Sequence, residues 1–227
     1  MKTTTQIEST SRTPLNTTAT RLWRAGAAVL CLASIALVSG CVSVGHTFSY
    51  ATASNLELGQ LTLSDCRSVF GEKPSAVSQQ INADGKYDIV RYTYAHANMG
   101  SARARTLILE FKDGKLNAYV YISSFAGELI SVPVDKINQL KKGESTKADV
   151  LNLLGKPNGK ALCPSTLDDF KSRCAGNSEI WTWQSIGSLS TFGAAYGGER
   201  PTVTTLFVTF DKTGVVNEIQ SANASGS

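Results

Sequence analysis

Apolar and polar residues alternate in two distant segments of the chain. Residues 107–117 read LILEFKDGKLN, and residues 206–217 read LFVTFDKTGVVN. Alternation with a period of two predicts β-strands, and the glycine-containing turn within each segment predicts a hairpin. One face of each first strand is expected to meet helices, whereas the opposite face is half polar and suited to contact. The residues predicted to face the helices are Leu107, Leu109 and Phe111 in the first hairpin and Leu206, Val208 and Phe210 in the second.

A second pattern also occurs twice and predicts a short, capped helix. Residues 59–74 read GQLTLSDCRSVFGEKP, and residues 143–157 read GESTKADVLNLLGKP. Thr62 and Thr146 are suited to be helix N-caps, and an aspartate three residues later can close a capping box. Glycine and then proline end the helix. Each copy therefore predicts a helix of about two turns.

The helix and the hairpin belong to a longer internal repeat. Each hairpin follows an aromatic segment, so that Tyr92 and Tyr94 correspond to Trp181 and Trp183. Their equivalent positions favour a role in the core, because duplicated halves keep their packing more readily than a binding site.

These elements together predict the fold class. A short helix is expected before each capping box, at about 52–58 and 133–141, and a weakly marked strand after it. The order helix, helix and four strands then occurs in residues 52–132 and again in residues 133–221. The sequence predicts an α+β fold of two tandem helix–helix–four-strand antiparallel repeats, with the helices packed on one face of the sheet.

Residues 1–40 have the features of a secretory signal peptide. Arg21 and Arg24 precede an apolar run over residues 25–40, which is short for a membrane-spanning helix. The run ends in Val38-Ser39-Gly40-Cys41, which resembles a bacterial lipobox. The resemblance implies cleavage before Cys41 and lipidation of Cys41. An ordinary signal peptide with an incidental cysteine is the alternative.

The residue after the lipidation site bears on localisation. Val42 follows Cys41, where an aspartate would resemble an inner-membrane retention signal. We therefore predict a lipid-anchored protein of the outer membrane, on its periplasmic face. Residues 41–51 are predicted to form a tether and residues 222–227 a disordered tail.

Charge excludes one class of partner. Residues 1–40 hold four of the 22 Lys and Arg residues and one of the 18 Asp and Glu residues, which leaves 18 against 17 in the mature chain. A nearly neutral chain without a basic stripe is not expected to bind nucleic acid.

Three cysteines follow Cys41, and two of them bracket an insertion. Cys163 and Cys174 flank ten residues that the first repeat lacks. In an oxidising compartment we predict a disulfide between them, stabilising the fold by about 3 kcal/mol. Cys66 lies among apolar residues of the first capped helix, where it is interpreted as a small buried side chain. A reactive or intermolecular thiol is the alternative.

The sequence contains no known catalytic motif. Phosphate-binding loops, nucleophile elbows, zinc-protease motifs and dinucleotide-binding motifs are all missing. The two histidines, His46 and His96, do not suffice for a metal cluster, and neither is placed to suggest a catalytic triad. We expect a non-enzymatic protein without a metal or a cofactor. The remaining hydrolase hypothesis is a carboxylate pair from among Asp88, Glu128, Asp168 and Asp169.

These motifs carry a family resemblance. With its capped helix, terminating glycine and proline, aromatic strand and hairpin, the chain resembles the SmpA/OmlA family, which includes BamE-like outer-membrane lipoproteins. The match is best over residues 143–157, and residues 59–74 are a divergent copy. The tandem arrangement is similar to the β-lactamase inhibitor protein fold, in which two halves form one concave sheet. The resemblance implies a protein-binding module and names no catalytic residue.

Candidate partner-binding residues come from one strand and one connection. Alternation along residues 115–122 places Tyr119 and Tyr121 outward, and exposed aromatic residues on a sheet are typical interface anchors. The Gly- and Ser-rich connection 186–201 is either a recognition loop or a disordered loop. The predicted partner-binding residues are Tyr119, Tyr121, Phe192, Tyr196 and Phe207.

Our leading functional hypothesis is a periplasm-facing outer-membrane lipoprotein that binds envelope proteins, in envelope integrity or in β-barrel protein assembly. One alternative is an inhibitor of a periplasmic hydrolase of the lysozyme or β-lactamase type. Another is a lipoprotein that binds a small ligand or a lipid in an apolar pocket lined by Trp181 and Trp183.

Overall fold

A continuous antiparallel β-sheet is the main element of the structure. The computed structural model describes residues 42–98, 101–128, 132, 134–186 and 202–225. The chain divides into two units, Met1–Gly40 and Cys41–Ser227, and all of the described residues belong to the second. Among these residues, no helix has both the length and the apolar character that crossing a bilayer requires.

The bounds of the elements show long strands and short helices. The strands are β1 (Val42–Val44), β2 (Ala76–Asn82), β3 (Gly85–Asn98), β4 (Ser101–Lys112), β5 (Lys115–Ser123), β6 (Gly159–Leu162), β7 (Glu179–Ile186), β8 (Thr202–Phe210) and β9 (Val216–Ser225). The α-helices are α1 (Tyr50–Ala53), α2 (Leu63–Phe70), α3 (Val134–Ile137), α4 (Lys147–Leu154) and α5 (Asp168–Lys171).

The predicted fold class of two tandem helix–helix–four-strand repeats is wrong. The described strands form one nine-stranded sheet in the order β1-β3-β4-β5-β6-β7-β8-β9, and β2 pairs with β3. β5 pairs with β6, through Ala118 with Ala161 and Val120 with Gly159, so the sheet continues across the predicted repeat boundary. Three of the five described α-helices have only four residues. A single large sheet with few helices therefore replaces the predicted pair of α+β units.

The two capping boxes are confirmed. The Thr62 hydroxyl accepts a hydrogen bond from Asp65 N at 3.3 Å, and Asp65 Oδ2 accepts one from Thr62 N at 2.8 Å. The same two bonds join Thr146 and Asp149 at the same distances. Each box begins an eight-residue helix, α2 or α4.

Two apolar clusters cover one side of the sheet, which we call the helix face. In the first cluster Phe70 of α2 packs with Leu107 and Leu109, and in the second Leu154 of α4 packs with Leu206. The predicted inward residues of both hairpins are buried in these clusters. The prediction that the aromatic strands contribute to the core is also confirmed, because Tyr92, Trp181 and Trp183 are buried and Tyr94 packs against the first cluster.

A third cluster covers the centre of the opposite side, which we call the loop face. Phe170 of α5 is buried there against Val120, Ile180 and Phe207. α5 lies in the segment between Cys163 and Cys174. Both sides of the central strands are therefore covered, one by helices and the other by the cysteine-bracketed segment.

Both ends of the described chain belong to the sheet. Val42–Val44 pairs with Ala95–Ala97 of β3, and Phe48 is buried in the first cluster. Arg105 holds this stretch by donating a hydrogen bond to the Phe48 carbonyl oxygen. This part of the predicted tether is thus integrated into the fold. Residues 222–225 of the predicted disordered tail pair with β8.

Candidate functional site

The predicted disulfide is present. Cys163 and Cys174 are bonded, and their Cα atoms are 5.3 Å apart. Both cysteines pack against the third cluster together with Leu167. The insertion between them therefore forms the cover of the loop face.

A buried carboxylate fastens this cover to the sheet. Glu110 of β4 is fully buried, and its Oε2 accepts hydrogen bonds from Thr166 N at 2.7 Å and Thr166 Oγ1 at 2.5 Å. Its Oε1 accepts a bond from Asn117 Nδ2 at 2.8 Å. Three donors compensate the cost of burying this carboxylate. The half-polar face predicted to contact a partner is therefore occupied here by the chain itself.

Tyr119 and Tyr121 do not face outward, so their predicted exposure is wrong. They are 0% and 1% exposed. Glu110 pairs with Ala118 but Phe111 pairs with Leu116, so Asn117 is an extra residue in a β-bulge. The bulge shifts the alternation by one position and turns both tyrosines toward the helix face.

Tyr121 is held in this position by rings and by a carboxylate. Its ring centroid lies 6.1 Å from that of Phe48 and 5.6 Å from that of Tyr50. Its hydroxyl donates a hydrogen bond to Glu128 Oε2 at 2.6 Å, and Glu128 also lies 3.3 Å from Arg105 Nη1. Burial, followed by the Glu128 hydrogen bond, raises the pKa of Tyr121. Burial likewise raises the pKa of Tyr119.

The other predicted partner-binding residues are buried or lie outside the described residues. Phe207 is buried, and the Arg173 guanidinium covers its ring at 3.7 Å from the centroid. It is therefore not exposed on the half-polar face as predicted. Phe192 and Tyr196, like the lipidation site Cys41, fall outside the part of the chain that the structure describes.

The titratable side chains singled out in the sequence are dispersed. His96 Nδ1 lies 2.9 Å from Ser43 Oγ, and no described carboxylate is bonded to this ring. Asp169 of α5 is exposed, and partial desolvation of its carboxyl raises its pKa. Cys66 is buried, and burial raises the pKa of its thiol to about 11, which supports the interpretation of a packed side chain over a reactive one.

A small polar cleft lies on the helix face. Its volume is about 240 Å³, and Gln60, Lys160 and Glu179 are among its lining residues. The Lys160 ammonium group lies 4.7 Å from the centroid of the Trp181 ring, and burial lowers the pKa of Lys160. Glu179 accepts hydrogen bonds from Lys147 Nζ and from Trp181 Nε1. Lys160 and Glu179 therefore both have partners among the described residues.

The most accessible part of the described sheet is its first edge, which we call the open edge and define as β1 and β2. All seven residues of β2 are exposed. Six large apolar side chains are exposed among the described residues, and four of them belong to the open edge. These are Val42 (59% exposed), Val44 (65%), Val77 (58%) and Ile81 (78%).

The open edge also lacks the usual protection of edge strands. β2 reads AVSQQIN and contains no charged residue and no proline. Charged residues, prolines and bulges are the features that normally prevent an edge strand from pairing with another chain. Among the described strands, only β3 pairs with β2.

A notch separates the two strands of the open edge. β2 pairs with β3 as far as Arg91, and β1 pairs with β3 from Ala95 onward. A cavity of about 540 Å³ lies between them, and its lining includes Val44, Lys73 and Arg91. Gly45 permits this arrangement, because its φ is 91° and a Cβ atom there would lie 2.0 Å from the Thr93 carbonyl oxygen. The notch adds an apolar and basic recess beside β2.

Comparison with known proteins shows a similarity at the level of structure. No protein-family model matches the chain. No curated protein sequence matches it either. The fold is similar to the crystal structure of a proposed β-lactamase inhibitor protein from Streptococcus mutans, with a TM-score of 0.40 and 16% identity. The match covers 78% of this chain and 89% of the other.

A sequence signal for the open edge exists, but it is weak. Residues 76–82 show little alternation, with only Val77 and Ile81 as large apolar residues. The run is marked instead by seven successive residues without charge, proline or glycine. This composition fits an edge that pairs with another strand, but exposure of its side chains follows only from the structure.

Proposed function

We propose that the chain is a lipid-anchored protein of the outer membrane that binds another envelope protein along its open edge. The observation that carries the proposal is that all seven residues of the uncharged strand β2 are exposed. An extended segment of a partner would pair with β2 and continue the sheet. In such β-augmentation the main chain supplies affinity, and alternate side chains supply specificity.

The backbone of β2 has donors and acceptors available for such pairing. Asn82 and Gly85 pair across the two-residue turn 83–84, which makes them a hydrogen-bonded pair of the β2–β3 ladder. Ala76, Ser78 and Gln80 have the same parity as Asn82 and bond toward β3. The N–H and C=O groups of the other three residues, Val77, Gln79 and Ile81, then point away from the sheet.

The apolar side chains of β2 add to the stabilisation of a bound segment. Full burial of a Val or Ile side chain contributes about 1.5–3 kcal/mol, and Val77 and Ile81 are more than half exposed before binding. Lipidation of Cys41 would hold the open edge close to the membrane, because Cys41 directly precedes β1. Partners inserted in, or assembled at, that membrane would meet this edge.

Site-specific photo-crosslinking in intact cells tests the proposal. A photoreactive side chain at Val77 is expected to trap an envelope protein, whereas the same group at Thr213, in the exposed β8–β9 turn, is not. Ile81→Lys is expected to reduce the Val77 product at least tenfold. Leu151→Lys is the matched control, because it changes an exposed apolar residue of α4 in the same way.

The result separates the functional alternatives. Equal products from Val77 and Thr213, or an Ile81→Lys product as strong as that of Leu151→Lys, would contradict binding at the open edge. An assembly factor as the trapped protein would favour a role in β-barrel protein assembly. A hydrolase that the purified chain inhibits would favour the inhibitor hypothesis instead.

A further inference from the structure

The side-chain pattern of β2 is compatible with its own copy. Antiparallel pairing about a two-fold axis at Gln79 places Val77 of one copy opposite Ile81 of the other, and Ser78 opposite Gln80. Apolar residues then meet apolar residues, and polar residues meet polar residues. Cross-strand pairs of this kind each contribute about 0.2–1 kcal/mol.

The outward-pointing N–H and C=O groups of β2 can form hydrogen bonds in the same register. Val77, Gln79 and Ile81 are the residues whose N–H and C=O groups point away from β3, and the two-fold axis pairs only these three with one another. Gln79 would exchange both backbone hydrogen bonds with Gln79 of the second copy, and Val77 would do so with Ile81. A shift by one residue would instead oppose outward-pointing groups to inward-pointing ones.

No charged residue of β2 would repel the β2 strand of a second copy. β2 itself is uncharged, and the nearest charged side chains of β3 have partners within their own copy. Gln79 Nε2 donates to Asp88 Oδ1 at 2.6 Å, and Lys86 Nζ lies 3.4 Å from Asp88 Oδ2. The Gln79 side chain is thereby directed toward β3, which leaves its outer backbone groups accessible.

We propose that the open edge associates with a second copy of this chain, through antiparallel pairing of β2 with β2 about a two-fold axis at Gln79. The proposal rests on the proposed function in using β2 as the binding edge, and it adds a second copy of the chain as an occupant of that edge. A two-fold interface uses the same patch on both copies, as this register requires. Bound to itself, β2 would be unavailable to other strands, so an envelope partner would compete with the second copy.

The expected interface is small. Seven residues at about 3.4 Å each and a sheet layer about 10 Å thick give on the order of 500 Å² buried in total. Stable interfaces bury about 1,200–2,000 Å², so the dimer is expected to be weak in dilute solution. Two copies anchored in one membrane gain effective concentration, which favours pairing there.

Cysteine crosslinking of the full chain in intact cells tests the register. Gln79→Cys places two thiols opposite each other across the axis, at Cα separations suited to a disulfide. Its covalent dimer is expected to form at least tenfold faster than that of Ser78→Cys or Gln80→Cys alone. Coexpressed Ser78→Cys and Gln80→Cys chains are expected to crosslink with each other. Equal rates for all three single variants, or no Gln79→Cys dimer, would overturn the proposal.

A pair of oppositely charged variants at Gln79 tests whether a loss of dimer is caused by misfolding. Gln79→Lys alone and Gln79→Glu alone are each expected to lower the amount of dimer at least tenfold, because each brings like charges together on the axis. Mixing the two variants is expected to restore a heterodimer, which misfolded chains could not form. Failure to restore it would count against the register.

The crosslinks also distinguish this inference from the proposed function. If Val77 traps an envelope protein while Gln79→Cys gives no dimer, the function stands and the inference fails. If Gln79→Cys gives a dimer while Val77 traps only a second copy, the inference stands and binding of an envelope partner fails.

Discussion

Phe170→Ala is expected to destabilise the protein more than its position in a four-residue helix suggests. Phe170 is fully buried in the third cluster, and its ring lies over Gly159, where a Cβ atom would be 3.4 Å from Phe170 Cζ. Because Gly159 has no side chain that could fill the space, the substitution leaves a cavity. Truncating a buried Phe in this way costs about 3–5 kcal/mol.

Urea denaturation of the oxidised chain measures this effect. With a slope of about 2 kcal/mol per molar urea, the loss corresponds to a fall in the midpoint of about 1.5–2.5 M. Leu151→Ala is the control, because Leu151 is partly exposed on α4, and its cost is expected to stay below about 1 kcal/mol. A fall of less than about 0.5 M for Phe170→Ala, with an unchanged slope, would refute the role of this ring in holding the cover of the loop face.

A double-variant cycle extends the test to the disulfide. Replacing Cys163 and Cys174 by Ser should cost about 3 kcal/mol in the otherwise native chain, from the length of the loop that the bond closes. In the Phe170→Ala background the cost should be at least about 1 kcal/mol smaller, because a bridge stabilises less when the native loop is itself less ordered. Additivity within about 0.5 kcal/mol would show that the bridge and the ring act independently.

Four further outcomes are expected. Thr62→Ala and Thr146→Ala should each cost about 1 kcal/mol in urea denaturation, against a negligible change for Ser68→Ala, because each removes an N-cap. The Thr146 backbone N–H and hydroxyl hold the pKa of Asp149 below its usual range. The stabilisation of the folded state by the Asp149 carboxylate is therefore present above about pH 4 and is lost as the pH falls through the lowered pKa. Asp149→Asn should make the free energy of unfolding less sensitive to acid. Native Cys66 should react with iodoacetamide at pH 8 at least about 100-fold more slowly than in urea, because its pKa is raised to about 11. Cys41→Ser should remove the acyl mass that mass spectrometry detects on the native chain; a native chain without acyl mass on Cys41 would contradict lipid anchoring.

The burial of Tyr119 and Tyr121 shows why alternation alone does not predict which side chains are accessible to a partner. Alternation along β5 is interrupted at Asn117, and one extra residue exchanges the two faces for every residue after it. Asn117 donates hydrogen bonds to Glu110 and to the Pro164 carbonyl oxygen, at 2.8 Å and 2.9 Å. Glu110 lies in the same hairpin, but Pro164 is 47 residues away in sequence, so a local pattern does not include the second partner.

The open edge was missed for a related reason. A strand without charge resembles a buried strand in sequence, and only the neighbours of β2 distinguish the two. β2 pairs with β3 on one side, and no other described strand pairs with it on the second side. The capped helix and the hairpin recur in both halves of the chain, whereas β2 occurs in the first half only.

The amino-acid sequence by itself determined the features that depend on near neighbours. The capping boxes of α2 and α4 and the two hairpins follow from residues a few positions apart, because their hydrogen bonds close within one helix turn or across one short turn. Only the tertiary structure decided how these elements combine. The β5–β6 pairing, the bulge at Asn117, the cover fastened by Glu110 and the exposure of β2 depend on contacts between distant segments, whose partners a periodic pattern does not specify.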